Sequence, residues 1–436
     1  MNQSRCSLKT LMNTTLVAAL IGLIVVADAS AQSKSSKKKT PTTKASPAAT
    51  SGTKTSGTTK TDAPKNDAAK TSPDAASKPN TESVSAPTTG GAPPITTPLP
   101  ISSVMPTFQA ATRLPENAAP RPKAAVGFIN ADVSLSTTTG TLYGTLTVPN
   151  NASSTATVPF VLLLNTNTVF DRNGHSHNNR DSSMHLQYLA EALAKQGIAS
   201  LRYDTRGVAK SMLALKGEDY LDFEKTVTDA AGWITQVRKD NRFSTMSVFG
   251  ISLPNDYGRE ASLAAIIAAN RMNADGLLCV GADSRKYLAM IRGKAAMTFP
   301  AHTAGYVDSL AQVLEQGKRF DLKPSDGIAY NLFRPAIQPY VLALNKFDPR
   351  AEMAKVKVPS VIVHGSMDYS IPIEVVAALA SANPQAQFVS VKNMSFYLKN
   401  GNDDLATPSL QKHKLPILQE FINLATEYVF SVNKVQ

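Results

Sequence analysis

The sequence is poor in cysteine, and its N-terminal part has no aromatic residues. Only two cysteines occur in 436 residues, and Cys6 lies in the predicted signal peptide of residues 1–31, so the remainder of the chain has no partner for an internal disulfide. Cys279 lies in an apolar run and is interpreted as a small buried hydrophobic residue. No Phe, Tyr or Trp precedes Phe108. These absences exclude a disulfide scaffold and predict that the folded domain, residues 108–436, begins between Phe108 and Asp132.

Residues 1–31 have the layout of a secretory signal peptide. Arg5 and Lys9 give a positively charged start, residues 16–27 are apolar, and Ala29-Ser-Ala31 supplies the small residues of a cleavage site. The apolar run is shorter than the roughly 20 residues that span a bilayer, which favours cleavage over a retained membrane anchor. We therefore expect an exported protein with a periplasmic or secreted location.

Residues 32–107 are rich in Lys, Ser, Thr, Pro and Ala. Between Ser33 and Pro100 there are ten lysines and four acidic residues, so this stretch has a net charge of +6, half of the formal +12. Such a composition buries too little apolar surface to offset its ordering entropy, and it predicts a disordered linker. A solvated spacer is the simpler interpretation. Attachment to an anionic envelope polymer or lipid, beginning at Lys37-Lys-Lys39, is the functional alternative.

The rest of the chain predicts an α/β fold with a mainly parallel sheet covered by helices on both faces. Alternating residues first predict an antiparallel strand pair at 132–136 and 140–148. Buried-type strands then alternate with amphipathic helices. The predicted strands are 160–164, 199–204, 246–250, 275–281, 359–363 and 387–391, and the predicted helices are 181–196, 223–238, 261–270, 373–382 and 413–429.

Between Ser284 and about Ala354 the sequence shows helical periodicity and no clear strand. This interval predicts a helical cap inserted into the strand order. Ligand pockets of open α/β sheets lie at the carboxyl ends of the strands, so the cap is expected to cover that edge.

Three segments resemble a known family. They are residues 189–211 (LAEALAKQGIASLRYDTRGVAKS), Arg334-Pro-Ala-Ile-Gln-Pro-Tyr340 and Phe347-Asp-Pro349. The chain from about Asp132 onward is similar to α/β hydrolases, in the branch of capped, serine-aminopeptidase-like esterases and acyl hydrolases. The resemblance implies a serine nucleophile, a histidine base, an orienting carboxylate and backbone donors for the oxyanion.

The nucleophile turn of this family reads Gly-x-Ser-x-Gly, whereas here it reads Gly250-Ile-Ser-Leu-Pro254. Ser252 is the candidate nucleophile, although Pro254 replaces the second glycine. The downstream Glu260-Ala-Ser-Leu263 resembles the family's Glu-Gly-Ser-Leu, and alignment on that segment places Arg259 at the serine position instead. Both alignments remain open from the sequence, and both imply an altered turn.

Asp368, in Val363-His-Gly-Ser-Met-Asp368, resembles the strand-end acid of the family. The alternative is a turn aspartate that caps the helix beginning near Pro372. The histidine position is the main departure, because the family's Gly-Met-Asn-His-Val-Leu-Lys corresponds to Asn393–Lys399 with Phe396 in place of histidine. Phenylalanine accepts no proton, and loss of the base removes several orders of magnitude of rate.

The remaining histidines offer limited rescue of this loss. His364 ends the strand that leads to Asp368, and His302 lies in the predicted cap; these two are the candidate replacement bases. His413 is expected to face solvent. His175 and His177 form a His-x-His pair with no third ligand at recognisable spacing, so no metal site and no cofactor are predicted.

The oxyanion loop of the family, Gly-Ser-Gly-Pro-Thr-Asp-Arg-Asp-Gly, corresponds to Thr166–Gly174, so Thr166 and Thr168 replace both glycines of the tight turn. β-Branched residues resist positive φ, which predicts misdirected oxyanion donors. The pairs Asp171-Arg172 and Asp204–Gly207 are interpreted as loop braces.

These departures favour an exported pseudoenzyme with a binding or accessory role, using a small-molecule or peptide ligand in the pocket between sheet and cap. The alternative is a weak carboxylic-ester or acyl hydrolase that uses Ser252, Asp368 and a displaced histidine. A nucleic-acid partner is disfavoured, because half of the positive charge lies in the linker and export removes the partner. No pattern predicts an oligomeric state.

Overall fold

The computed structural model describes residues 127–166, 170–176, 182–254 and 259–432. The predicted signal peptide, the predicted linker and the predicted start of the folded domain lie outside these residues. So do Thr168 and His177.

Eight strands form one sheet in the order β1-β2-β4-β3-β5-β6-β7-β8. The β1–β2 and β2–β4 pairs are antiparallel, and every other neighbouring pair is parallel. The predicted antiparallel pair at the start and the mainly parallel sheet are therefore confirmed. The strands are β1 Phe128–Thr137, β2 Gly140–Pro149, β3 Val158–Leu164, β4 Ala199–Tyr203, β5 Phe243–Ile251, β6 Gly276–Val280, β7 Ser360–Gly365 and β8 Ala386–Val391.

Helices cover both faces of this sheet. The α-helices among the described residues are α1 His185–Lys195, α2 Phe223–Val237, α3 Glu260–Arg271, α4 Tyr287–Thr298, α5 Ala301–Glu315, α6 Ile328–Phe333, α7 Gln338–Asn345, α8 Pro349–Ala354, α9 Ile373–Ala380, α10 Gly401–Ala406 and α11 Gln419–Val432. Short 3₁₀ helices lie at Ala209–Ala214, Glu218–Tyr220, Pro324–Asp326 and Ser409–Lys414. None of the helices within the described ranges is long and apolar enough to cross a membrane.

The central strands divide their side chains between two hydrophobic clusters. In β3, Phe160 and Leu162 join the cluster beneath α2, α3 and α9, whereas Val161 and Leu163 join the cluster beneath α1 and α11. Successive side chains of a strand point to opposite faces, so a strand that is apolar on both faces requires a helical layer on each side. The continuous apolar run therefore predicts the three-layer arrangement.

The close approach of β5 and α3 depends on Gly250. A Cβ at this position would lie 2.7 Å from Ser262 Cα and 2.8 Å from Ala265 Cβ. This glycine, the first of the predicted nucleophile turn, therefore has a packing role that any side chain would disrupt.

The predicted cap is helical, as expected. Between β6 and β7 the described chain forms α4 to α8 and one 3₁₀ helix, with no strand. Arg334 donates to both carboxylate oxygens of Glu218 at 2.7 and 2.6 Å, and the Tyr340 hydroxyl donates to Glu260, the first residue of α3. The buried Gln338 amide bonds the carbonyl oxygens of Phe320 and Phe333. The Arg334–Tyr340 segment that resembles the family therefore holds the cap together and fixes it to the sheet domain.

Two helices begin at least four residues later than predicted. The final helix was predicted to begin at His413, but residues 409–414 are 3₁₀ and α11 begins at Gln419. Pro416 disfavours helical backbone at Leu415, which is extended at φ −85° and ψ 132°. The helix predicted from residue 181 begins at His185, because Met184 adopts left-handed backbone at φ 53°.

Candidate functional site

The turn between β5 and α3 begins at Ser252 and ends at Arg259. β5 ends at Ile251, and Arg259 directly precedes α3 in left-handed backbone, with φ 55° and ψ 43°. Non-glycine residues adopt this conformation at a cost and mainly where the surrounding structure imposes it. A nucleophile turn places its reactive residue at such a strained position between strand and helix. Arg259, and not Ser252, has that backbone geometry.

The Ser252 hydroxyl is fully engaged with neighbouring groups. Its Oγ lies 3.0 Å from the carbonyl oxygen of Arg259 and 2.8 Å from Ser262 Oγ, and it accepts from the Ser262 backbone N–H at 3.1 Å. The Ser252 residue is 1% exposed. The hydroxyl thus joins the end of β5 to the first turn of α3, and no histidine bonds it within the described chain.

The Arg259 side chain fills the space between the ends of β5, β6 and β7. Its side chain is 0% exposed. Nη1 donates to the Gly281 carbonyl at 2.7 Å and lies 3.3 Å from that of Ser252, while Nη2 donates to Ser370 Oγ at 2.5 Å. Nη2 also lies 3.7 Å from Asp368 Oδ2. A buried guanidinium is tolerated here because a carboxylate and three oxygen acceptors surround it.

Asp368 lies at the end of β7, as the sequence predicts, and both of its carboxylate oxygens are occupied. Oδ1 accepts from the Ser370 backbone N–H at 3.1 Å and from the Ser370 hydroxyl, and Oδ2 faces Arg259. Asp368 makes no cap to the following helix, whose N-cap is Pro372. Ser370 accepts from the guanidinium and donates to the carboxylate, so it links the two charges.

Gly281 closes the floor of this charged cluster at the end of β6. It has φ 62°, and a Cβ there would lie 2.5 Å from Arg259 Nη1 and 3.0 Å from the Ser252 carbonyl oxygen. This requirement could not be predicted from the sequence, since the glycine belongs to no recognised motif.

Neither candidate replacement base reaches the site as a base. His364 is buried, with Nε2 3.4 Å from the Ile371 carbonyl oxygen and Nδ1 without a hydrogen-bond partner. Burial lowers the pKa of His364, against the opposite effect of the nearby Asp368 carboxylate. His302 is exposed on α5. Within the part of the chain that the structure describes, no hydrogen bond joins either imidazole to Ser252 or to the Asp368 carboxylate.

Phe396 lies in an apolar cluster formed by the loops that the resemblance assigns to catalysis. Phe170 of the oxyanion loop, Leu253 of the nucleophile turn and Tyr397 of the histidine loop are buried together, with Phe396 packed against them. The ring centroids of Phe170 and Tyr397 are 6.1 Å apart, and those of Phe396 and Tyr397 are 4.4 Å apart. Aromatic side chains therefore hold these three loops to one another.

His185, the first residue of α1, is a site neighbour that the sequence reasoning missed. Its ring centroid lies 5.6 Å from that of Tyr397 and 6.2 Å from that of Phe170. Nδ1 is 2.6 Å from the Ser183 hydroxyl, and Nε2 is buried without a partner. Burial, with a smaller contribution from Lys399, lowers the pKa of His185 to about 3. The imidazole is therefore neutral and acts as a structural ring.

Lys399 anchors the loop that carries Phe396. Its side chain is buried, and Nζ donates to the carbonyl oxygens of Lys412 and Leu415, the latter at 2.9 Å. Nζ also lies 5.5 Å from the centroid of the Tyr188 ring. The lysine at the end of the family-like segment thus fixes the loop to the chain that precedes α11.

Two largely buried ion pairs lie near the segment that the resemblance assigns to the oxyanion loop. The backbone N–H of Arg172 donates to Asp204 Oδ1 at 2.9 Å, and its guanidinium lies 3.4 Å from Asp204 Oδ2. Arg206 makes a two-point bond to the carboxylate of Asp229 at 2.7 and 2.6 Å. The Thr166 hydroxyl is buried without a hydrogen-bond partner.

No cluster of His, Cys, Asp or Glu suited to a metal ion occurs among the described residues.

The strand order, the antiparallel β2 and the helical insertion after β6 together give this chain the α/β-hydrolase fold. No family model matches the sequence. A search of curated proteins likewise gives no significant match.

Solved structures similar to this chain include an esterase, a dienelactone hydrolase and a proline iminopeptidase. Est1E from Butyrivibrio proteoclasticus, in a ferulic acid complex, is 16% identical over 69% of this chain and 96% of its own, with a TM-score of 0.44. A thermophilic esterase from Thermogutta terrifontis is 14% identical over 70% of this chain and 100% of its own, with a TM-score of 0.42. Proline iminopeptidase from Mycobacterium smegmatis is 15% identical over 70% of this chain and 99% of its own, with a TM-score of 0.44. At these identities and TM-scores the likeness transfers no activity.

Proposed function

We propose that this chain is an exported α/β-hydrolase-fold protein without hydrolytic turnover, a pseudoenzyme with a binding or accessory role. One observation carries the proposal. A buried Arg259–Asp368 ion pair, joined by Ser370, occupies the edge of the sheet where the resemblance expects a nucleophile and its orienting acid.

The backbone of Arg259 supports its assignment to the nucleophile position. It is the left-handed residue directly before α3, and Glu260–Leu263 follows it as the family's Glu-Gly-Ser-Leu follows the serine. A protonated guanidinium has no nucleophilic lone pair, and arginine keeps its charge in proteins. Under this assignment Ser252 belongs to extra residues between β5 and the nucleophile position.

The Asp368 carboxylate is poorly placed to orient a base. Its acceptor positions serve Ser370 and Arg259, and a histidine introduced nearby would compete with a buried cation. The apolar cluster of Phe170, Leu253, Phe396 and Tyr397 occupies the side where the histidine would stand. Under this proposal the histidine position has no proton acceptor, and the Asp368 carboxylate is already engaged with Ser370 and Arg259.

The alternative, a weak hydrolase using Ser252, requires the serine hydroxyl to leave three hydrogen-bonding neighbours. It also requires His302 or His364 to move to it. Removal of a triad base costs about 10⁶-fold in rate, so this alternative predicts slow turnover at best.

The role that remains is recognition. We propose that the cap and the strand ends bind a small molecule or peptide, and that the Lys-rich linker connects this domain to an anionic envelope polymer. The fixed cap, tied through Arg334 and Tyr340, is suited to a preformed binding surface.

Turnover of short-chain aryl esters and aminoacyl arylamides by the purified chain beginning at Gln32 tests the proposal. We expect rates equal to buffer for the wild type and for Ser252→Ala, and Phe396→His should restore little because Asp368 and the oxyanion loop remain unsuited to the reaction. Circular dichroism should accompany each assay, since Ser252 Oγ also links β5 to α3. Esterase activity that Ser252→Ala abolishes while the fold persists would overturn the proposal and favour the weak-hydrolase alternative.

A further inference from the structure

The 3₁₀ helix Ala209–Ala214, which follows β4, exposes two large apolar side chains side by side. Leu213 is 89% exposed and Met212 is 53% exposed. Leu213 has the highest exposed fraction among the large hydrophobic residues of the described chain. Single exposed leucines are common on protein surfaces, so the way in which the fold holds this pair decides whether it is significant.

Buried anchors fix the backbone on both sides of the pair. Ser211 is 0% exposed, and its hydroxyl accepts from the Tyr143 backbone N–H of β2 at 2.9 Å. Ala214 is 3% exposed, and its carbonyl oxygen accepts from Thr139 Oγ1 and Arg206 Nη1, each at 3.3 Å. The chain between these two anchors must therefore project outward, and Met212 and Leu213 are its outermost residues.

Unfavourable backbone conformations shape the approach to this turn. Ala209 has φ 41° and Gly207 has φ 81°. A Cβ on Gly207 would lie 2.8 Å from Leu215 Cδ2. Non-glycine residues in left-handed backbone persist only where the surrounding contacts impose them, and such residues cluster at functional surfaces. The projection is thus a rigid feature of the fold.

Basic residues flank the apolar pair on both sides. Lys210 and Lys216 lie three residues before and three residues after Leu213, and both are exposed. Lys210 Nζ lies 2.9 Å from Asp132. No carboxylate of the described residues forms an ion pair with Lys216, and the nearby Glu218 is bonded to Arg334. Apolar residues between lysines are the pattern with which a surface turn meets lipid, because the lysines reach the phosphates while the apolar side chains enter the acyl boundary.

We propose that the Met212–Leu213 projection inserts into the surface of an anionic lipid bilayer. The pair stands on a convex turn, which suits a deformable bilayer. The net charge of +12, half of it in the Lys-rich segment 33–100, is complementary to anionic headgroups. Insertion of the projection would give the folded domain a defined orientation on the bilayer, since the turn is rigidly joined to β2 and β4. The charge of the Lys-rich segment alone would attract the chain without orienting it. The inference is independent of whether the strand-end site, the group of side chains around Ser252, Arg259 and Asp368, is catalytic.

Co-sedimentation of the chain beginning at Gln32 with vesicles tests the proposal. The vesicles contain phosphatidylethanolamine with phosphatidylglycerol, and pure phosphatidylcholine vesicles serve for comparison. Leu213→Asp should weaken binding to the anionic vesicles at least about tenfold, since a buried leucine side chain contributes more than the 1.4 kcal/mol of a tenfold change. Lys216→Gln should weaken it about fivefold, and only on anionic vesicles.

Leu410→Asp is the matched control, because Leu410 is 58% exposed on another 3₁₀ helix, Ser409–Lys414. It should bind like the wild type, and all variants retain the same Lys-rich segment. Equal binding by Leu213→Asp and the wild type would overturn the proposal. So would a dimer that Leu213→Asp converts to a monomer in analytical ultracentrifugation, because the turn would then be an interface between copies of this chain.

Discussion

The two sides of the strand-end site are filled by opposite kinds of side chain. On the side of β5, β6 and β7, Arg259 and Asp368 form a buried ion pair that Ser370 links. On the side of the loops after β3 and β8, Phe170 and Tyr397 pack with Leu253 and Phe396. The first side depends on matched charges and the second on matched shapes.

This difference indicates which side tolerates change. Breaking a buried ion pair leaves a charge without compensation, whereas trimming an apolar cluster loses contacts in proportion to the atoms removed. The charged side should therefore respond to single substitutions more sharply than the apolar side. Replacing both charges together should destabilise the protein less than the sum of the two single replacements, because no buried charge is then left without a partner.

Arg259→Met should give the largest effect. The variant keeps much of the side-chain volume but leaves Asp368 buried without its cation and the Gly281 carbonyl without its donor, so we expect a loss of about 3–5 kcal/mol in the free energy of unfolding. Urea denaturation measures it, with the exposed Arg350→Met as control. The Arg259→Met/Asp368→Leu double variant should recover part of the loss, and a double variant that loses the sum of both single effects would refute the coupling of the two charges.

Gly281→Ala should follow in size. The added Cβ would meet Arg259 Nη1 at 2.5 Å in backbone of φ 62°, so we expect the free energy of unfolding to fall by about 2–3 kcal/mol. Gly305→Ala is the matched control, because it lies in α5 with no atom within 4 Å of the new Cβ, and it should be neutral or slightly stabilising. Equal stability of the two variants would mean that the charged cluster readily shifts aside.

His185 gives the apolar side a pH response. Its folded-state pKa is about 3 against an ordinary value of 6.5, so between these values the unfolded chain binds a proton that the folded chain does not. Stability from this group is therefore complete above about pH 6.5 and falls as the pH decreases, with a slope of up to about 1.4 kcal/mol per pH unit.

His185→Asn should flatten that slope, although the variant will be less stable at neutral pH because a buried ring is lost. Urea denaturation at several pH values between 4 and 7.5, a range of about 3.5 units chosen to cover most of this titration, measures it. The exposed His302→Asn should keep the wild-type slope. A slope unchanged by His185→Asn would show that another group controls the acid response.

The sheet could be predicted because its signals are local. Continuous apolar runs separated by amphipathic helices specify the bounds of β3 to β8 to within three residues, and the alternation in β1 and β2 specifies the antiparallel pair. The start of α11 was predicted wrongly, because the apolar periodicity continues through Pro416 while the backbone does not.

The site could be predicted only in part. Asp368 and Phe396 were located by their position after β7 and β8, and Arg259 entered as one of two alignments. Its bond to Asp368 joins residues 109 apart in sequence, and no periodicity reports on such a contact. His185 was missed because, as the first residue of α1, it has the spacing of an ordinary core residue.

The attachment of the cap has a kinetic consequence. Arg334 binds Glu218 before α2, and Tyr340 binds Glu260 at the start of α3, so two points of the sheet domain that are 42 residues apart in sequence hold one helical insertion. Rigid-body opening of this insertion would require both bonds to break together. Backbone amides of α6, α7 and the first turn of α3 should therefore share one opening rate in native-state hydrogen exchange, as parts of a single cooperative unit.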